Sequence, residues 1–281
     1  MNIVKRFPAA LAILFIALVM AFTLSGCESD ETKAAKTGFN NEVSRIQGEF
    51  DSLQSEISNA EELVLVEDKA LDESLRPALE DAISDAKTVE FEKPSLPSNE
   101  AEEIDAATAE LKNFGFAEEL EHLQNAETAL SESIEKYKLV DNPSEAFIIE
   151  RLRGVEGVGE ISAVTEDNDP NGQLNKTGGY TATIYFSSPW VNQNNVYGST
   201  VIDKGTDGGG AIEVYANEGD AHDRNSYLGA FDGPSLIRAG SHTVVGTVIV
   251  RTSDKLTATQ QKELEAAIIE ALTKLPESES E

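Results

Sequence analysis

In "DNDPNG", Asp167, Asp169, Asn171 and Gly172 stand at positions 1, 3, 5 and 6 of a twelve-residue calcium loop. Oxygen side chains at alternating positions can converge on a hard cation, and the glycine permits the sharp turn. Position twelve is Gly178, where such a loop needs a bidentate acid. Calcium held there would bind with a dissociation constant of about 10⁻⁴–10⁻³ M. The same Asx-Pro-Asn-Gly composition also builds an ordinary turn between strands, so both readings stay open. Trp190 and Tyr197 lie in the asparagine-rich "SPWVNQNNVYGS". Aromatics on such a loop either anchor a peptide or glycan or cap the core edge. Asp207 sits in "GTDGGG", which lacks the lysine and the following helix of a phosphate loop. Its glycines predict close backbone approach or a bulge. His222 and His242 have Asp220, Asp223 and Ser241 nearby, but nothing has the setting of an activated nucleophile, so no enzyme is predicted. Cys27 is the only thiol.

Cys27 follows a basic pair, Lys5 and Arg6, and the apolar run from Ala9 to Leu24. That run is about 16 residues, short of the roughly 20 of a spanning helix. The polar "ESDETK" follows the cysteine at once. The order is that of a secretory signal peptide. "LSGC", Leu24 to Cys27, resembles the lipobox of bacterial lipoproteins at every position. The resemblance implies a diacylglyceryl group on the Cys27 sulfur and cleavage just before it. Two acyl chains anchor a protein stably, at about 0.8 kcal/mol per buried CH₂. An anchored Cys27 leaves no thiol for disulfides, zinc or catalysis. The expected place is the extracytoplasmic face of a cell membrane.

The chain of 281 residues carries 51 acids against 22 bases, a net charge of −29. Such a surface repels nucleic acid and anionic headgroups and favours cationic partners. Most of these charges read as solvated helix faces.

The positioning elements change character at "DNPSE", Asp141 to Glu145. Before it, Phe39, Val43, Ile46, Phe50, Leu53, Ile57 and Ala60 form a seam spaced four and three, predicting a helix from Phe39 to near Leu65. Stripes at Leu75–Val89, Ile104–Phe114 and Leu120–Tyr137 predict three more helices, the middle one opened by Asn99 and Glu102 at capping-box spacing. Each stripe is narrow, so the helices must share one core, as an antiparallel bundle. His122 reads as a solvent-facing residue of the last helix. "SLRPALEDAISDAKTV" and "EEIDAATAELKNF" resemble the FIVAR-like three-helix modules of Gram-positive surface proteins. That likeness implies a spacer or adhesive bundle and assigns no residue a role.

After the boundary, "SEAFIIERLRG" predicts a helix, followed by strands at 159–166, 180–188 and 210–217. A helix at 218–231, a longer strand at 242–253 and a helix from Thr257 to about Leu275 complete the order. Helices on one face of a mostly antiparallel sheet follow, an α+β domain. "TEDNDPNG", "TDGGGAIEVYAN", "RNSYLGAFDG" and "GTVIVRTSDKLT" resemble an uncharacterised domain of Gram-positive lipoproteins.

The expected organisation is a signal peptide at 1–26 and a lipidated flexible linker at 27–38. A helical bundle or spacer at 39–140, an α+β domain at 142–275 and a disordered acidic tail at 276–281 follow. The expected function is non-enzymatic surface binding or adhesion, with an extracellular protein or glycan as partner. The alternative is a ligand- or calcium-binding lipoprotein whose polar site lies between loops 165–179 and 203–210. In that case Asp167, Asp169 and Asn171 are the metal ligands, and Trp190, Tyr197 and Asp207 touch the ligand. No other cofactor is expected.

Overall fold

A computed structural model describes residues 29–231 and 240–276. Cys27, the signal peptide and tail residues 277–281 lie outside them. The chain divides into two compact units, one reaching Ser131 without 69–71, the other made of 69–71 and the chain from Glu132 onward.

The first unit is helical. Its elements are α1 (Asp30–Val64), α2 (Leu75–Lys87), α3 (Ala101–Lys112) and the first turns of α4 (Ala117–Leu139). The predicted seam is buried at Phe39, Val43, Ile46, Leu53, Ile57 and Ala60. α1 nevertheless starts at Asp30 rather than Phe39, so residues 30–38 are helical where a flexible linker was expected. Ser29 supplies the reason: its side chain accepts from the Thr32 N–H, and buried Ala35 extends the seam one turn back. α3 starts at Ala101, and its N-cap Glu100 makes no side-chain cap, so the Asn99–Glu102 capping box does not form. Phe116, between α3 and α4, is fully buried. Its ring lies 5.3 Å from Phe50 and 5.6 Å from Phe91.

The second unit continues with α5 (Glu145–Leu152), β1 (Ile161–Ala163), β2 (Tyr180–Ser187), α6 (Val201–Lys204) and β3 (Gly209–Tyr215). Then come α7 (Glu218–Gly229), β4 (Ser241–Val245), β5 (Val248–Thr252) and α8 (Ala258–Thr273). The five strands form an antiparallel sheet in the order β1-β2-β3-β5-β4. The strand predicted at 242–253 is in fact a hairpin. Gly246 takes a φ of +59° in a two-residue turn with Thr247, and Val245 faces Val248. A Gly-X turn with one positive φ matches the strand twist, which a continuous strand reading overlooks.

Side chains alternate across the sheet. Ile184, Phe186, Ile212, Val214, Val248 and Val250 share a core with α5 and α8. Tyr185, Ala211, Tyr215 and Ile249 share another with α6 and α7. Helices therefore cover both faces, where one face was expected. The reason lies in the strands: they are apolar on both sides, and two-sided burial needs two helical layers.

The boundary expected at 141–142 also lies elsewhere, because the last turns of α4 belong to the second unit. Val140 is buried in its core, and its carbonyl accepts from the Thr247 N–H at 3.0 Å and the Thr247 hydroxyl at 3.1 Å.

Candidate functional site

The two faces of the sheet differ in chemistry. The α5/α8 face is largely hydrocarbon, with a polar edge where Ser241 and Thr243 of β4 donate to the Glu265 carboxylate of α8. The α6/α7 face carries a glutamate in the middle of β3. Glu213 has no exposure, and its neighbours across the ladder are Thr183 on β2 and Ile249 on β5. A bare carboxylate there would be prohibitively costly. Arg251 of β5 donates through Nη1 to Oε1 at 2.6 Å. Arg224 of α7 donates through Nε to Oε2 at 3.0 Å and through Nη2 to Oε1 at 3.1 Å. The Tyr215 hydroxyl donates to Oε2 at 2.8 Å. Burial would raise the Glu213 carboxyl, but the charges of Arg251 and Arg224 and their hydrogen bonds outweigh it and hold it below its ordinary value. Burial also pushes up the hydroxyls of Tyr215 and Tyr185, the latter to about 12, so both stay protonated.

Loop 165–179 packs over this face through Asp169. Oδ1 accepts from the Asn171 N–H at 3.0 Å and from the Tyr180 hydroxyl. Oδ2 accepts from the N–H groups of Gln173 at 2.6 Å and Leu174 at 2.9 Å. Burial opposes ionisation of Asp169, and these four donors outweigh it, leaving the carboxyl below its ordinary value. They occupy the acceptor directions a cation would need. Asn171 turns its side chain away, donating to the Tyr185 hydroxyl at 3.3 Å. The geometry of "DNDPNG" is thus that of a side-chain-stabilised turn. Among the described residues, no group of three or more His, Cys, Asp and Glu could hold a metal ion.

The loop separates two clefts. The first, about 900 Å³, is lined by Asp167, Asp169, Pro170, Tyr197, Ile202 and Asp203, among others. Three of the residues picked from sequence, Asp167, Asp169 and Tyr197, meet here. Tyr197 is 97% exposed. Thr200 and Asp203 form a capping box on α6, and Ser199 donates to Asp203 at 2.8 Å. Hydrogen bonds from the Ser199 and Thr200 side chains and backbone hold the Asp203 carboxyl below its ordinary value. The first cleft is therefore anionic, with one aromatic ring standing in solvent.

The second cleft, about 410 Å³, lies on the α7 side and is lined by Asn171, Gln173, Asp220, Asp223, Arg224 and Tyr227, among others. Arg224 thus joins the buried Glu213 to solvent.

Other candidates from sequence lie apart. Trp190 packs against the α5/α8 core, with Gly157 so close that a Cβ there would sit 2.8 Å from the ring. Asp207 lies 3.6 Å from Lys255, and its carbonyl accepts from the Ser253 hydroxyl. His242 Nδ1 pairs with the Asn225 side chain at 2.7 Å. Sequence reading missed Glu213, Arg224 and Arg251. The signal was present: one glutamate in "GAIEVY" and one arginine in "VIVRT", opposite charges inside apolar runs.

No family model, curated protein or solved structure matches this chain.

Proposed function

We propose that this chain is a lipid-anchored extracytoplasmic protein, tethered through Cys27, whose helical unit is a spacer and whose α+β unit is a binding module rather than an enzyme. The observation that carries the reading is the first cleft. Two loops far apart in sequence meet around it, and a nearly bare tyrosine stands at its side. An exposed aromatic beside a cleft is a natural anchor for a partner. The carboxylates of Asp203 and Asp167 select a basic partner, such as an arginine- or lysine-bearing segment of an extracellular protein, and Asp169, whose oxygens are taken by its own loop, adds only its negative charge. A guanidinium stacked on Tyr197 would add a cation–π contact of about 0.5–2 kcal/mol.

The lipobox pattern "LSGC" supports the anchor. Acyl labelling and cell fractionation of wild type and Cys27→Ser test it. Label and membrane retention in wild type, both lost in the variant, are expected. Wild-type protein without acyl label would refute the tether. For the binding module, an array of envelope peptides and glycans is probed with wild type and Tyr197→Ala. Retention of basic peptides by wild type alone is expected, and equal signals would refute the cleft.

A further inference from the structure

We infer that the second cleft is a site for a free α-amino acid, its carboxylate on Arg224 and its ammonium on Asp220. The inference rests on α7 and is independent of the anchor and of the Tyr197 cleft.

Asp220 and Arg224 are four residues apart, on one face of α7, and both line the cleft. Side chains at that spacing ordinarily pair, with Cβ atoms about 5–6 Å apart. Here they do not. Arg224 is drawn inward to Glu213, which takes Nε and Nη2 along one edge of the guanidinium. The opposite end of the fork, at Nη1, has no hydrogen-bond partner among the described residues. Guanidinium carries five N–H donors, and the unfilled end suits one carboxylate. Burial lowers the proton affinity of Arg224 and the Glu213 pairing more than restores it, so the cation is permanent and held in place.

Asp220 is held in a matching way. Its Oδ2 accepts from the Asn217 side chain at 2.8 Å. Its Oδ1 lies 3.9 Å from where a Cβ on Gly178 would stand, and Gly178 also lines the cleft. Asp223 adds a second carboxylate.

These charges disfavour simpler ligands. A plain anion would meet two aspartates, and a plain cation would meet Arg224. A zwitterion with adjacent ammonium and carboxylate satisfies both poles. The Tyr227 ring, 57% exposed and 5.4 Å from the Arg224 guanidinium carbon, offers a wall for the amino-acid side chain. Gln173 and Asn171 supply amides on the facing side. The volume, about 410 Å³, suits a small ligand.

Titration calorimetry on the complete chain in mild detergent tests this. The probes are glycine, L-alanine, L-glutamate and L-phenylalanine, with acetate, the N-acetyl amino acids and the amino-acid amides as controls. At least one amino acid should bind saturably, and its N-acetyl and amide forms should bind at least tenfold more weakly. That factor corresponds to loss of one charged hydrogen bond, of the order of 1.5 kcal/mol. Asp220→Asn should weaken the amino acid about as much as N-acetylation does, because both remove the same ion pair. Arg224→Lys tests the other pole, and a folded Asp220→Asn protein keeps the test decisive if that variant fails to fold. No saturable heat from any amino acid at about 10 mM, well above ordinary ligand affinities, would overturn the proposal. So would equal binding of the capped forms or of acetate.

Discussion

Replacing Glu213 by alanine removes the one carboxylate that two buried guanidiniums share. Arg251 is then left 11% exposed and Arg224 23% exposed, both without their counter-charge. The Tyr215 hydroxyl also loses its acceptor. Breaking a buried pair by deleting one partner costs about 3–5 kcal/mol. Arg224 can turn toward Asp220 and recover part of this, so about 3–4 kcal/mol is the expected loss. For a unit of this size that lowers the melting temperature by roughly 10 °C. Near-ultraviolet circular dichroism on heating reads it, because the tyrosines crowd this face. Glu213→Gln keeps the shape and one acceptor and should fall between alanine and wild type. The pH dependence has a fixed sign. The Glu213 carboxyl is held below its unfolded value, so its contribution is complete above the ordinary glutamate range and is lost as pH falls below 4.5. Glu213→Gln should lack that part of the acid destabilisation. An alanine variant within about 1 kcal/mol of wild type would refute the claim that this pairing organises the polar face.

Glu127 tests the helical unit. Burial, then a hydrogen bond and repulsion from Glu56, raise its carboxyl to about 7. The folded state thus holds its proton longer than the unfolded one, and stability falls as pH rises from 4.5 toward 7. After solvent screening, Glu127→Gln should gain about 1 kcal/mol at pH 8 and almost nothing at pH 4, read by urea unfolding. A gain that does not change with pH would contradict this. Gly246→Ala forces a Cβ to 2.7 Å from Val140 at a φ of +59°. A loss of about 1–3 kcal/mol in thermal unfolding is expected. The fragment 132–276 should unfold at a higher temperature than 142–276, since only the former keeps Val140 as acceptor for Thr247. Equal melting would place the boundary back at Asn142.

Regular periodicity was legible in the sequence, and context-dependent geometry was not. The α1 seam follows from spacing, and the positions of β2, β3, α7 and α8 follow from their composition and flanking turns. The turn at Gly246-Thr247 hides within a β-branched run, and the reach of α1 back to Asp30 depends on one serine cap. On α8 the buried residues are Leu264, Ile268 and Leu272, a four-residue row that tertiary contact selects. At the clefts, Asp167 and Tyr197 are readable as polar-loop residues, but their meeting is a long-range event that spacing cannot show. Asp169, open from sequence to a ligand or a turn reading, serves as the loop's own hydrogen-bond hub. Asn171 sits on the other side of that loop, in the α7 cleft.

The binding module is tested most directly by fluorescence anisotropy of a labelled arginine–glycine peptide, titrated with the chain from Glu28 onward. Saturable binding is expected. It should weaken as salt rises, because screening reaches within about 10 Å at 0.1 M. In Tyr197→Ala and in Asp167→Asn it should weaken at least severalfold at equal melting temperature. No saturable binding at low salt, or unchanged binding in Tyr197→Ala, would contradict the assignment of the first cleft as the binding surface.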